Sequence, residues 1–204
     1  MFLSKSLRYK YNLFILGAIA QKFRSSGQTC ICPNRIYVQS SIYAEFASRL
    51  VDKVSGFQIG NGFDTKTTHG PLINRKAVEK VTKHVENAVA NGAEILIGGT
   101  KSTGNFFYPT VLTGMNKEMI ITSEETFGPI AALYKFETEA EVINLANDSP
   151  VGLAGYFYSK DLGRCWRVAD ALEVGMVGIN AGLSGNCEIP FGGVSKKKKI
   201  LFFR

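Results

Sequence analysis

Residues 130–180 read IAALYKFETEAEVINLANDSPVGLAGYFYSKDLGRCWRVADALEVGMVGIN, and this stretch decides the fold. Short apolar runs alternate in it with segments whose apolar residues recur at helical spacing. The predicted order is strand, helix, strand, helix, strand: Ile130–Phe136, Glu137–Ala146, Gly155–Tyr158, Leu162–Leu172 and Gly175–Asn180. This alternation predicts an α/β fold built on an open, doubly wound, largely parallel sheet. In such a sheet we expect functional residues at the carboxyl ends of the strands.

The first half of the chain repeats this alternation. Arg35–Gln39 is predicted to be a strand, and the helix that follows it is expected to be capped by Ser41. Apolar residues at spacings of three and four, Val89 among them, predict a second helix that ends at Asn91-Gly92. Two further strands are predicted downstream: Glu94–Ile97 and Tyr108–Leu112.

The net charge of +7 is concentrated at the two ends of the chain. Residues 1–24 and residues 195–204 each carry five Lys or Arg and no acid, whereas the 14 basic and 17 acidic residues between them leave segment 25–194 at −3. Charge runs of this kind are weak evidence for a nucleic-acid footprint, so we predict no nucleic-acid partner. No stretch approaches the ~20 apolar residues that span a bilayer, so no membrane partner is predicted either.

The cysteines and histidines exclude two further classes of protein. The chain has four cysteines, too few and too irregularly spaced for a disulfide scaffold: Cys30, Cys32, Cys165 and Cys187. Neither of the two histidines stands at ligand spacing from a cysteine pair, so no metal site is predicted. A reducing compartment is the simplest interpretation.

The N-terminal segment allows two interpretations. Basic residues precede the apolar stretch Leu13–Ala20, which ends in Ala18-Ile19-Ala20 and resembles a secretory signal with a small-residue cleavage site. The alternative is a helix of the fold that places Phe14, Ala18 and Ile19 on one face. We favour the helix.

Cys30 is the candidate nucleophile. It follows a predicted helix in a loop of small polar residues, where a thiol can be exposed and reactive. A reactive thiolate needs a nearby cation, a helix end or backbone donors, and Arg24 lies six residues upstream. From the residues alone, a buried and inert cysteine remains the alternative.

Residues 22–32, KFRSSGQTCIC, resemble the active-site signature of aldehyde dehydrogenases, and most closely that of the succinate-semialdehyde dehydrogenase branch. Four more blocks match in order: GPLI at 70–73, EETFGP at 124–129, GLAGYF at 152–157 and PFGG at 190–193. The resemblance implies three segments. Residues 1–15 form an unrelated extension, residues 16–194 the catalytic domain of the family, and residues 195–204 a basic tail foreign to it.

By this resemblance, Cys30 is the thiol that attacks the aldehyde, forming a thiohemiacetal and then a thioester, with NAD or NADP as the cofactor. Glu125 matches the acid that binds the nicotinamide ribose, and Phe127 matches the residue that packs beside the nicotinamide. The implied substrate is succinate semialdehyde or a similar carboxylated aldehyde.

The resemblance also implies residues that bind this substrate. Arg24 matches the guanidinium that holds the far carboxylate of the substrate. Phe191 matches an aromatic residue lining the substrate tunnel. A serine of this branch falls at Gly185 here, with Ser184 displaced by one position, so either the loop shifts or this contact is lost.

Cys32 suggests a redox partner for Cys30. Two cysteines separated by one residue in a bent loop can approach the ~4.4–6.8 Å Cα separation of a disulfide. Oxidation would then consume the nucleophile reversibly. The alternative is that Cys32 simply packs.

The same resemblance predicts what this chain lacks. Only 29 residues precede Cys30, so we expect neither the N-terminal dinucleotide-binding domain of the family nor its general-base glutamate. The strand through which family homo-oligomers pair is also expected to be missing. The alternative function is therefore a truncated, inactive fragment that associates with full-length subunits. The predicted compartment is cytoplasmic or mitochondrial.

Overall fold

A computed structural model describes residues 2–3, 11–182 and 190–195 of the chain. The strands in these ranges are β1 Phe2–Leu3, β2 Ile36–Gln39, β3 Glu94–Ile97, β4 Thr110–Thr113, β5 Ile130–Phe136, β6 Val151–Gly152, β7 Ala154–Tyr158, β8 Met176–Ile179 and β9 Val194–Ser195. The α-helices are α1 Tyr11–Lys22, α2 Ser40–Val54, α3 Arg75–Ala90, α4 Ile120–Ser123, α5 Glu139–Asn147 and α6 Leu162–Ala171.

Seven of the described strands form one sheet in the order β3-β4-β5-β2-β1-β7-β8. Neighbouring strands are parallel except at the β3–β4 edge, which is antiparallel. The remaining strands, β6 and β9, form a small antiparallel pair. The predicted doubly wound, largely parallel α/β sheet is therefore confirmed.

Both faces of the sheet are buried. Successive side chains of a strand point to opposite sides, so each strand contributes to a core on either face. In β5, Ile130 and Ala132 belong to one hydrophobic core with the apolar side chains of α3 and α6, while Ala131 and Leu133 belong to a second core with those of α1 and α2. All four side chains are fully buried. This explains why β5 reads as a continuous apolar run.

Side-chain caps start helices α3 and α5. Asn74 accepts a hydrogen bond from the Ala77 amide at the start of α3, and Thr138 and Glu141 form a capping box at the start of α5. The prediction that Ser41 caps α2 is wrong, because that helix begins one residue earlier. The Ser40 hydroxyl donates to the Glu137 carboxylate instead.

Val89 belongs to the apolar spacing that predicts α3, but it does not pack against the core. Its side chain is 44% exposed, whereas Val81, Val85 and Ala88 are buried. The inward stripe of the helix follows spacings of three and four, and Val89 falls one position past it.

The N-terminal stretch forms a helix of the fold, as favoured above. Phe14, Ile15 and Ala18 of α1 are almost fully buried against the sheet. Helix α1 runs across the boundary placed after residue 15, and β1 lies between β2 and β7. The three-segment division stays a prediction. Among the described residues, no helix is long and apolar enough to cross a membrane.

Candidate active site

The candidate residues lie at the amino ends of the strands, not at the carboxyl ends. Cys30 belongs to the loop of residues 25–34 that enters β2, which we call the cysteine loop. Glu125 and Phe127 belong to residues 124–129, the acid loop, which enters β5. Because β2 and β5 are adjacent and parallel, both loops meet at one edge of the sheet. The expectation of a site at the carboxyl edge was therefore wrong.

Cys30 and Glu125 line one cavity of about 230 Å³ at this edge. Cys32 lines it as well, together with residues just before and within β7. Cys30 is an exposed free thiol, and Cys32 is a half-buried one. The structure thus brings together the predicted nucleophile, its predicted redox partner and the predicted cofactor-binding acid.

The cysteine loop begins in an unusual backbone conformation. Ser25, Ser26 and Gly27 all have left-handed φ angles, of 50°, 55° and 73°. A Cβ atom added at Gly27 would stand 2.0 Å from the carbonyl oxygen of Gly128, so only glycine permits the two loops to approach this closely. The sequence blocks SSG and FGP are thus two sides of one contact.

The GPLI block holds the same loop from another direction. The Ser26 hydroxyl donates to the Gly70 carbonyl at 2.8 Å, and the Gln28 side-chain amide donates to the Pro71 carbonyl at 3.3 Å. The side-chain oxygen Oε1 of Gln28 in turn accepts from the backbone amide of Ile73 at 2.9 Å. A motif separated from Cys30 by forty residues or more therefore sets the path of the chain towards it.

The GLAGYF block contacts the loop on its other side. The Tyr156 hydroxyl donates to the carbonyl of Ile31, between the two cysteines, at 3.1 Å. Tyr156 itself is buried in the core. Sequence reasoning singled out this block as a family match but assigned Tyr156 no role, because the contact spans 125 residues.

Lys22 is a second residue that sequence reasoning did not assign. It ends α1 and is only 2% exposed. Burial lowers the pKa of Lys22 to about 8, and the neighbouring Cys32 and Glu125 act in the opposite direction. Lys22 is therefore a buried lysine close to both Cys32 and Glu125.

Other predicted residues do not line this cavity. Arg24 is exposed, Phe127 is 38% exposed and has a left-handed φ of 52°, and Phe191 is 45% exposed. Ser184 and Gly185 lie outside the described residues. The roles predicted for these residues, and for Cys32 in a disulfide, stay predictions.

Comparison with known proteins identifies the family of the chain. The model of the aldehyde dehydrogenase family matches residues 10–197, and the chain belongs to this family. The predicted resemblance is therefore confirmed.

Two curated relatives act on semialdehydes according to their names. Glutarate-semialdehyde dehydrogenase of Pseudomonas putida is 54% identical over 178 residues, covering 87% of this chain and 37% of that protein. The mitochondrial succinate-semialdehyde dehydrogenase of Rattus norvegicus is 52% identical over 185 residues, covering 89% and 35%. The chain thus spans little more than a third of the length of these relatives.

Solved structures show the same fold. The succinate-semialdehyde dehydrogenase of Burkholderia pseudomallei superimposes with a TM-score of 0.92 at 48% identity, covering 95% of this chain and 40% of that one. Betaine aldehyde dehydrogenase of Staphylococcus aureus, solved in complex with NAD+, gives a TM-score of 0.88 at 38% identity, covering 95% and 39%. In Schizosaccharomyces pombe, a relative 52% identical over 181 residues (87% of this chain and 36% of that protein) is named a succinate-semialdehyde dehydrogenase for NADP(+).

Proposed function

We propose that this chain carries the nucleophile of an NAD(P)-dependent oxidation of a carboxylated aldehyde to its acid. The observation that carries the proposal is the cavity shared by Cys30 and Glu125, an exposed thiol and a carboxylate contributed by separate loops. The semialdehyde relatives support the choice of substrate class.

Cys30 performs the covalent step in this proposal. Its sulfur attacks the aldehyde carbon, the carbonyl electron pair moves to oxygen, and a thiohemiacetal forms. NAD or NADP, when bound, supplies the acceptor for the hydride that leaves this carbon as the thioester forms. Water then attacks the thioester, the C–S bond breaks, and the acid and the free thiol are released.

Glu125 suits the binding of a nicotinamide cofactor. Its carboxylate is exposed and faces the cavity that contains the thiol. An ionised carboxylate only accepts hydrogen bonds, which matches the paired hydroxyls of a ribose. The names of the relatives mention both NAD+ and NADP(+), so the proposal extends to either cofactor.

Arg24 is the proposed anchor for the far carboxylate of the substrate. Its exposed guanidinium lies six residues before the thiol, on the turn that begins the cysteine loop. A planar guanidinium binds a carboxylate through two parallel hydrogen bonds, which orients the other end of a short semialdehyde. The half-exposed Phe191 is the proposed apolar wall.

An acylation experiment tests the proposal. The chain is mixed with succinate semialdehyde and NAD+ or NADP+, quenched in acid and analysed by intact mass, while NAD(P)H is followed by absorbance. We expect a thioester adduct on Cys30 that is absent in Cys30→Ala and retained in the matched variant Cys165→Ala.

Two outcomes separate the alternatives. No adduct on Cys30 with any semialdehyde and either cofactor would contradict the proposal and favour a non-catalytic chain that acts through full-length subunits. An adduct with rapid steady-state NAD(P)H formation would support the proposal and show that the chain also hydrolyses the thioester. The compartment is proposed to be mitochondrial or cytoplasmic; one relative is named mitochondrial.

A further inference from the structure

The side-chain amide of Asn34 joins the cysteine loop to the acid loop. Its Nδ2 donates to the carbonyl of Ile121 at 2.6 Å and to the carbonyl of Glu124 at 3.0 Å. Its Oδ1 accepts from the backbone amide of Thr126 at 2.9 Å. Asn34 lies four residues after Cys30 and directly before the residues that lead into β2.

These bonds hold both chain neighbours of Glu125. The carbonyl before Glu125 and the amide after it are attached to the same side chain, so the backbone of the acid is fixed relative to the thiol. Two carbonyls can only accept and one amide can only donate, so the site needs a group with two donors and one acceptor. An asparagine amide in this orientation meets that requirement, whereas a carboxylate or an alkyl group does not.

A second contact steadies the same loop from inside the protein. The buried His84 hydrogen-bonds through Nδ1 to the Thr126 hydroxyl at 3.0 Å, and its Nε2 lies 3.5 Å from the Glu124 carboxylate. His84 belongs to α3, so it anchors the acid loop to the core. His84 does not connect the acid loop to the cysteine loop, whereas Asn34 does.

We propose that Asn34 is a positioning residue that sets the separation between the Cys30 thiol and the Glu125 carboxylate. This inference rests on the proposed function, in which the cofactor bound by Glu125 must meet the carbon attached to Cys30. Small misplacements of reacting groups lower rates strongly, because the reacting atoms must be held within a narrow range of distances. Asn34 itself lines the cavity of Cys30 and Glu125, and the role proposed for it is indirect, through the position of Glu125.

Amide hydrogen exchange measured by mass spectrometry tests the proposal on the full chain without any ligand. In Asn34→Ala, exchange of the peptide containing Thr126 is expected to rise at least about fivefold, the factor for losing one hydrogen bond. Exchange in α2 and in the sheet is expected to stay as in the original chain. Asn34→Asp, which keeps the volume but places acceptors against two carbonyls, provides a second variant should the alanine variant fold poorly.

Asn116→Ala is the matched control. The Asn116 side chain also donates to a backbone carbonyl, that of Asn91, and accepts from a backbone amide, that of Glu118, both at 3.0 Å. It contacts neither of the two loops through these bonds. Its loss is expected to leave exchange at Thr126 unchanged.

A second measurement separates positioning from simple support. Iodoacetamide alkylation of Cys30 is followed with increasing NADP+, and the half-protecting concentration is expected to rise about tenfold in Asn34→Ala, as expected when a cofactor-binding carboxylate is displaced. The alkylation rate without cofactor is expected to change less than about twofold, since the thiol keeps its own contacts.

The outcomes distinguish the two proposals. The positioning role would be overturned if both Asn34 variants exchanged at Thr126 as slowly as the unmodified chain. It would also be overturned if exchange increased throughout the protein. If NADP+ fails to protect Cys30 even in the original chain, the measurement is repeated with NAD+. Protection by neither cofactor contradicts the proposed function, while the exchange result still decides the coupling of the loops.

Discussion

The two edges of the parallel sheet have opposite characters. At the amino edge, loops meet through backbone contacts and side-chain amides around a cavity of about 230 Å³ that contains Cys30. At the carboxyl edge, Glu139 forms ion pairs with Arg164 at 2.7 Å and with Arg167 at 3.2 Å, and the cavity lined by Glu139 and Arg164 is only about 60 Å³.

This difference shows that the fold class alone does not predict at which edge of the sheet the candidate residues lie. Doubly wound sheets usually carry ligands at the carboxyl edge, and here charged side chains fill that edge. At the amino edge, glycine and the left-handed serines bring two loops together, and the space between them remains open. The loops, not the topology, decide at which edge these candidate residues meet.

Among the substitutions that test the difference between the two edges, Gly27→Ala is expected to have the largest effect on stability. The added methyl group meets the Gly128 carbonyl oxygen at 2.0 Å, and φ is +73°, so the amino edge must open or strain. We expect a loss of about 2–4 kcal/mol in the free energy of unfolding, measured in urea. Cys30 alkylation is expected to change with it.

Gly62→Ala is the matched glycine substitution. A Cβ atom there meets nothing within 4 Å, and the residue lies in an exposed loop. The unfolding free energy is expected to change by less than about 1 kcal/mol. Equal losses in both variants would show that the contact of the two loops has no special importance for stability.

The next prediction compares the alkylation rates of two thiols, one at each edge of the sheet. Cys30 is exposed at the amino edge, whereas Cys165 of α6 is buried and directs its thiol towards the carbonyl of Ser159, just past the carboxyl end of β7. Under native conditions we expect iodoacetamide to modify Cys30 on the order of a hundredfold faster, because Cys165 must first open locally. Peptide mapping with time measures both rates.

Denaturation provides the control for this comparison. In urea both thiols are exposed, and their rates are expected to differ by less than about threefold. Similar native rates for Cys30 and Cys165 would contradict the assignment of an open amino edge and a closed carboxyl edge.

Much of the fold could be predicted from sequence because it follows local periodicity. Strands β3 and β5 were predicted to the residue, since each is an apolar run with clear ends. The two-residue strands β1, β6 and β9 were missed, because pairing with distant strands defines them and their own residues carry no pattern.

The candidate site divides in the same way. Cys30 and Glu125 could be found because they lie in recognisable blocks. Asn34 and Tyr156 could not, because their contacts join residues 87 to 125 positions apart and no spacing encodes them. The left-handed φ angles of Ser25 and Ser26 were equally invisible, since serine has no preference for that conformation.

The pH dependence of the unfolding free energy tests the role of the buried His84, which anchors the acid loop at the amino edge. Burial lowers the pKa of His84, with Glu124 opposing this and Lys80 and Lys83 adding to it. The unfolded chain therefore binds a proton more readily than the folded one, and acid favours unfolding. We expect the unfolding free energy to fall as the pH drops below about 6.5, the ordinary histidine value.

The matched variant for this titration is His84→Gln, which keeps a hydrogen-bonding side chain beside Thr126 but does not titrate. Its unfolding free energy is expected to fall less steeply over the same pH range, and the remaining slope comes partly from His69, whose pKa is also lowered by burial. Identical slopes for the two proteins would mean that His84 is not held neutral by the fold.

The smallest effect is expected at the carboxyl edge, from Glu139→Gln. The carboxylate loses two ion pairs and a favourable position in the first turn of α5, but the three side chains are 30–59% exposed. Partly solvated pairs contribute little, so we expect the free energy of unfolding to fall by about 1 kcal/mol or less, and by still less in high salt.

Glu45→Gln, which removes a surface ion pair to Arg49 on α2, is the control and is expected to cost about 0.5 kcal/mol or less. Neither change is expected to alter Cys30 alkylation, because the ion pairs lie at the opposite edge of the sheet. A changed alkylation rate in Glu139→Gln would show that the two edges are coupled through the strands, and the division drawn between them would no longer hold.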